Sequence, residues 1–267
     1  MSLFDLRAEL SRIQAFMWRN WIMSKRNAFT LFEILFWPIV GLASVGLLTE
    51  FLSLSGPMRS FILIGVISMG TIQVCQLDVA YVLLYDVWSK SVKHAFMAPV
   101  EIRHFLVGSW LAGMIRGCIV FVLLVGISSF FFGFDLRPAG IPVVLIFLLG
   151  LFLNSILIGL SVCILVLIVG NRAEVTAWSL VSLMMLLCGI YYPVHILPAP
   201  FVILARLFPL TYHLDYLRSF YGVEASFDHS LALGNGLALA YLAMAVLGLR
   251  AAIKRARRTG ILLRLSE

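Results

Sequence analysis

The stretch GIYYPVHILPAPFVILARLFPLTYHLDYLRSF, residues 189–220, is apolar enough for a membrane. Yet Pro193, Pro198, Pro200 and Pro209 interrupt any helix long enough to cross one. Irregular backbone facing lipid would leave N–H and C=O groups without partners, so it survives only when buried in protein or lining a cavity. Residues 201–210 make only about 15 Å of helix, half of a hydrocarbon core of about 30 Å. The stretch is therefore predicted to form a re-entrant helical hairpin over 191–221. The chain leaves a span at Tyr191, Tyr192 and Pro193, bends at Pro198, dips through 199–208, turns at Pro209 and rises through 212–221. Asp215 and Arg218 lie three apart on one helical face and are expected to mark its wet edge.

The rest of the chain supplies the membrane domain around it. Of 267 residues, 62% are hydrophobic and 12% charged, with a mean hydropathy of +1.03. That is too little polar surface to coat a soluble globule. Apolar windows near the length of a spanning helix fall at 29–52, 61–85, 105–132, 141–169, a short 175–192, and 231–249. These predict an all-α integral membrane protein: an amphipathic interface helix over 1–28, a six-helix domain over 29–249 with the hairpin between helices five and six, and a basic tail over 250–267. The first 28 residues hold no apolar run of signal-peptide type, so the first span is expected to be retained. Cys75, Cys118, Cys163 and Cys188 all fall within spans and read as small apolar residues.

Charge sets orientation. Arg7, Arg12, Arg19, Lys25 and Arg26, then Lys90, Lys93 and Arg103, then Arg172, then the tail from Arg250 onward, all fall on one side. By the positive-inside rule both termini are expected to be cytoplasmic, which puts the hairpin outside. The net charge of +7 is explained by this topology and by anionic headgroups, and no nucleic-acid partner is expected. In the first segment Leu6, Leu10, Ile13, Met17 and Trp21 recur on one face against Arg7, Arg12 and Arg19, the pattern of a helix in the headgroup plane. It reads either as an anchor or as a contact for a cytoplasmic partner. The cytoplasmic loop 86–104 holds a short helical segment stopped by Pro99, a knob that could dock on another protein or simply connect two spans.

Ionisable groups at membrane depth call for a reason. Glu33 lies near a span end and can snorkel. Asp78 and Arg116 lie deeper, and the reach of arginine allows them to pair, either to lock spans two and three or to line a polar cavity. No P-loop, H-E-x-x-H or G-x-S-x-G motif occurs, so no catalytic residue, metal site or bound cofactor is expected. His213 and Asp215 stand two apart, on different helical faces, and read as interfacial structure.

The six spans, the basic N-terminal helix, the loop ending MAPVEIRHFLVGSW, and the run Tyr192-Pro193, Leu197-Pro198, Phe208-Pro209-Leu210-Thr211-Tyr212, Asp215, Arg218 together resemble the ABC-2 permeases of ATP-binding-cassette exporters. The resemblance covers nearly the whole chain. It implies a permease in the bacterial or archaeal cytoplasmic (inner) membrane, surrounded by lipid, paired with a second copy of itself and driven by a separate ATPase subunit that binds ATP and magnesium. Ser89, Lys90, Ser91, Val92, Lys93, His94, Ala95, Phe96 and Met97 would form the coupling helix on that ATPase. One departure is that Asp86 and WSKSVKHAF stand where members often carry a GTLE stretch. The implied cargo is a glycan or lipid-linked glycan of the capsule, O-antigen, teichoic or lipo-oligosaccharide type. Export of a hydrophobic drug is the alternative, followed by a lipid-modifying membrane enzyme or a scaffold. Phe36, Trp37, Tyr81 and Tyr85 could stack on sugars along the path, or belong to packing and the interfacial aromatic belt.

Overall fold

Nearly every apolar run becomes a helix, because in lipid a helix satisfies its own backbone. The computed structural model describes residues 3–26, 28–88, 90, 102–170 and 174–259. The helices are α1 (Leu3–Arg26), α2 (Ala28–Phe51), α3 (Gly56–Trp88), α4 (Ile102–Phe132), α5 (Gly140–Val169), α6 (Glu174–Leu187), α7 (Ala199–Ala205), α8 (Pro209–Arg218) and α9 (Ser230–Thr259), with 3-10 turns at Val194–Ile196 and Ser219–Tyr221. No strand occurs among the described residues. Five of these, α2, α3, α4, α5 and α9, are long and apolar enough to cross a membrane, which makes this a multi-pass membrane protein. In α6 only the short run Trp178–Leu187 qualifies as apolar helix.

The window 175–192 is longer than the helix it contains. Helix α6 stops at Leu187, before Gly189 takes a left-handed φ of +70° and Pro193 follows. The last window errs the other way. Helix α9 runs ten residues beyond Leu249, so Arg250, Lys254 and Arg255 ride on a continuous helix and not on a separate tail.

Helix α3 is the axis of the bundle. Seventy-eight per cent of its apolar window is buried, against 22% for α2 and 17% for α9. Small residues let its neighbours close in. A Cβ placed on Gly113 of α4 would stand 2.8 Å from the Cys75 carbonyl, and one on Gly159 of α5 would stand 2.5 Å from Val79. Pro38 is buried inside α2 against Gly70 of α3.

Two apolar clusters stack along this axis. Leu63, Ile67, Phe121, Leu124, Phe147 and Leu151 form one, together with Ile190, Leu210 and Leu214 from the region after α6. Val79, Leu83, Leu160, Val166, Leu249 and Ala256 form the other, toward the far ends of α3, α5 and α9. The first cluster marks the end of the bundle where the segment expected to form the hairpin lies, with its short helices α7 and α8, and the second the opposite end.

Candidate functional site

At the end of the bundle opposite the hairpin, helix α1 lies along the start of α4. The His104 ring, fully buried, meets Glu9 Oε2 at 2.7 Å, and Arg103 and Arg12 reach the same carboxylate at 3.3 Å. That hydrogen bond from His104, helped by the two guanidinium groups, holds Glu9 below the usual carboxylate range. Phe16 and Phe105 pack tilted against each other with centroids 3.8 Å apart. Further along, Ile13 and Phe16 crowd Gly108, and Asn20 Nδ2 donates to Ser109 Oγ at 2.7 Å. Sequence periodicity expects α1 to lie in the headgroup plane on an apolar stripe, yet polar contacts also fasten it to α4. Of the coupling segment, Ser89, Ser91, Val92, Lys93, His94, Ala95, Phe96 and Met97 lie outside the described residues. Lys90 is described, exposed in a turn with φ +56°.

Deeper in the bundle three helices meet at one ion pair. Arg116 of α4 donates to Asp78 Oδ1 of α3, and its other terminal nitrogen donates to the Asn20 carbonyl of α1 at 2.8 Å. The side chains are 8% and 12% exposed, so both are withdrawn from solvent. Asp78 Oδ2 has no protein partner.

At the hairpin end, α7 and α8 are two short helices joined by a tight turn at 206–208. Pro209 starts α8, where a missing N–H is harmless. Thr211 Oγ1 then donates to the Ala205 carbonyl at 2.8 Å, and Tyr212 Oη to the Arg206 carbonyl at 2.9 Å. The Ala205 carbonyl also accepts from the Phe208 N–H at 3.1 Å, so Thr211 reinforces the end of α7 and Tyr212 adds a donor just beyond it. The PLTY run is thus a staple closing one helix onto the next. Pro198 sits at the N-cap of α7, and Tyr192 Oη donates to the Leu186 carbonyl at 2.5 Å. Tyr191 packs half-buried against the hairpin-end core, and Pro193 precedes the 3-10 turn at Val194.

Arg218 corrects an expectation. It does not mark a wet edge, being only 4% exposed. Its guanidinium donates to the carbonyls of Phe61 (2.9 Å), Gly189 (2.7 Å) and Ile190 (2.9 Å), and lies 3.5 Å over the Phe61 ring. Gly189 and Ile190 follow the end of α6, where carbonyls need donors, so Arg218 ties α8 to both α6 and α3. Asp215 is half-buried and accepts from the Ser226 N–H at 2.8 Å and Ser230 Oγ at 2.5 Å, which fixes the start of α9. Beside them opens a cavity of about 400 Å³ lined by His195, Thr211, Asp215, Arg218, Glu224 and Phe227, among others.

The sequence profile of the ABC-2 type transporter family matches residues 11–221, from α1 through the end of the hairpin region. The chain belongs to this family. A protein of Archaeoglobus fulgidus, itself uncharacterised, is 53% identical over 53 residues, 20% of this chain and 83% of that protein. As an ABC-2 transporter membrane domain the chain is a transport component of an ABC transporter and not an enzyme, and membership implies an ATPase partner.

On this ABC-2 permease the expected path aromatics form two separate groups. Phe36 stacks on Phe32 at 4.8 Å and meets Trp37 edge-on at 5.4 Å, on the open face of α2. Tyr81 and Tyr85 pair edge-on at 5.5 Å on α3, with Tyr81 packed against the second core cluster. Cys118 is exposed, unlike the three buried cysteines. Two buried histidines escaped the sequence reading. His104 is described above. His213 is fully buried, between Asn154 and Asn235. The available signal was the two asparagines themselves, uncharged polar residues inside spans that needed partners.

Proposed function

We propose that the chain is the permease half of an ATP-driven exporter that moves a glycan or lipid-linked glycan outward across the cytoplasmic membrane, with a separate ATPase subunit binding ATP and magnesium. In this reading the bundle has six crossings and a re-entrant hairpin, both termini are cytoplasmic, and 89–97 docks on the ATPase. The observation that carries the cargo is the exposed aromatic group of Phe32 stacked on Phe36, with Trp37 edge-on beside them, on an unpacked stretch of α2. The scarcely covered windows of α2 and α9 are where a second copy and lipid would sit.

Two packing relations support the topology. Trp178, near the start of α6, packs at the second core cluster, whereas Ile190, just past its end, meets Gly65 at the hairpin end. Fourteen helical residues cover about 21 Å, and in this reading the chain from Cys188 to Ile190 makes up the rest of a crossing. The hairpin meets α5 at Gly150 and Asn154, ten and fourteen residues past Gly140. That is about 15–21 Å along α5, which supports the reading of a segment that enters the bilayer.

The test is co-purification with the ATPase from the same membrane, followed by ATP hydrolysis in nanodiscs with candidate cargos. Stimulation by a lipid-linked oligosaccharide, reduced in Trp37→Ala, is the expected result. Stimulation by hydrophobic drugs alone would favour the drug reading. Failure to hold any ATPase would remove the exporter reading.

A further inference from the structure

His213 stands where α8 touches two spans, α5 and α9, at once. Its Nδ1 is 3.1 Å from Asn154 Nδ2 of α5, and its Nε2 is 3.2 Å from Asn235 Oδ1 of α9. Asn154 Nδ2 also donates to the Gly150 carbonyl at 2.8 Å, which fixes the orientation of that amide. The amide therefore presents hydrogens to Nδ1, which must accept. Nε2 faces a carbonyl oxygen and must donate. Only the neutral Nε2–H tautomer satisfies both neighbours. The ring has no freedom to move: a Cβ on Gly150 would stand 2.4 Å from it, and one on Gly234 3.2 Å. Two glycines on two spans thus make room for one imidazole.

We infer that neutral His213 is the pin that holds α8 at its depth against α5 and α9, and that protonation of its Nδ1 releases the hairpin. A proton on Nδ1 would point at the Asn154 NH2 group, which has no lone pair to offer, so a charged donor would be buried against a donor. The Pro209 carbonyl, one turn back on α8 itself, also accepts from the ring, but a proton turned toward it leaves Asn154 without its acceptor. The tie to α5 is lost either way, and no opposite charge stands near. Helix α5 carries no Asp, Glu, Lys, Arg or His, and the first charge on α9, Arg250, lies fifteen residues past Asn235. On α3, Asp78 is held by Arg116, and Arg59, near its hairpin end, by Glu50 at 2.9 Å. Asp215 and Arg218 on α8 are occupied by Ser226 and Ser230 and by backbone carbonyls, and the adjoining 3-10 turn brings Tyr221. The pin holds above the ordinary imidazole range, about pH 6.5, and weakens as pH falls through it. His213 acts as a positioning residue for transport, not as a contact for cargo.

This inference rests on the hairpin reading above, and one experiment separates the two. Amide hydrogen exchange across 209–218 is followed in nanodiscs at pH 8 and pH 5.5, with times scaled for the intrinsic pH dependence. Wild type should lose protection roughly tenfold at the lower pH, the scale of one buried hydrogen bond turned against itself. His213→Gln, whose amide stays neutral, should hold its protection within about twofold. Asn154→Asp offers an acceptor to a protonated Nδ1 and should flatten or invert the response, which keeps the test decisive even where His213→Gln fails to fold. An equal pH response in wild type and Asn154→Asp, or none in wild type, overturns the pin and leaves the hairpin standing. Rapid exchange of 209–218 at pH 8 overturns the hairpin reading as well.

Discussion

Two buried arginines hold this permease together by opposite means. Arg116 is paired with a carboxylate, Asp78, and spends its remaining reach on the Asn20 carbonyl. Arg218 is placed against the carbonyls of Phe61, Gly189 and Ile190 and the face of an aromatic ring. An ion pair can be broken and remade by a shift of one helix, because it rests on one contact between two side chains. A cation spread over three carbonyls from two segments is a staple, satisfied in one geometry only. The difference separates a joint between α1, α3 and α4 from a weld between α3, α6 and α8.

That contrast can be broken experimentally. The largest effect is expected for Asp78→Leu, which strands a guanidinium that cannot give up its proton and should destabilise by about 3–5 kcal/mol in thermal unfolding. Arg116→Leu should cost less, because the carboxylate left behind can protonate. The double replacement should be milder than Asp78→Leu alone, and strict additivity of the two would dismiss the pair as an energetic unit. An exchange of the two charges should restore function that either single change removes. Arg218→Met strips donors from buried carbonyls without stranding a charge, for about 2–3 kcal/mol. Arg218→Lys should recover less than half of this, since one ammonium cannot replace the fork. An Arg218→Lys protein as stable as wild type would undo the weld.

The smallest effect belongs to Glu9. Its carboxyl titrates below the ordinary value of 4.5 because His104 hydrogen-bonds it. The stability this adds is present above that value and is lost as pH falls below it, so α1 should begin to detach from α4 only in that acidic window. Hydrogen exchange over 3–26 at pH 7 and pH 4 measures this, and Glu9→Gln should exchange at pH 7 as wild type does at the lower pH.

Hydropathy and proline placement were enough to foresee the helices. Lengths of apolar sequence decide where helices form in lipid, and prolines decide where they cannot, so the two arms meeting before Pro209 were legible from composition alone. What the side chains of the hairpin do was not legible. Arg218 looked like a surface charge because its spacing from Asp215 is that of a solvated helical face, whereas its partners stand on α3 and after α6. His213 looked unremarkable because the asparagines that receive it lie 59 and 22 residues away.

By itself, then, the chain determined its solvent, its helices and the breaks between them, since each depends on local composition and on bonds within one segment. Apart from Asp78 and Arg116, whose depth and reach suggested a meeting, tertiary structure decided which polar groups are paired. A buried hydrogen bond joins groups brought together by packing, and sequence distance carries no record of that meeting. The stretch 189–220 shows both sides: its prolines announce short helices with breaks between them, and Thr211, Tyr212, His213 and Arg218 fasten these with partners found only in three dimensions.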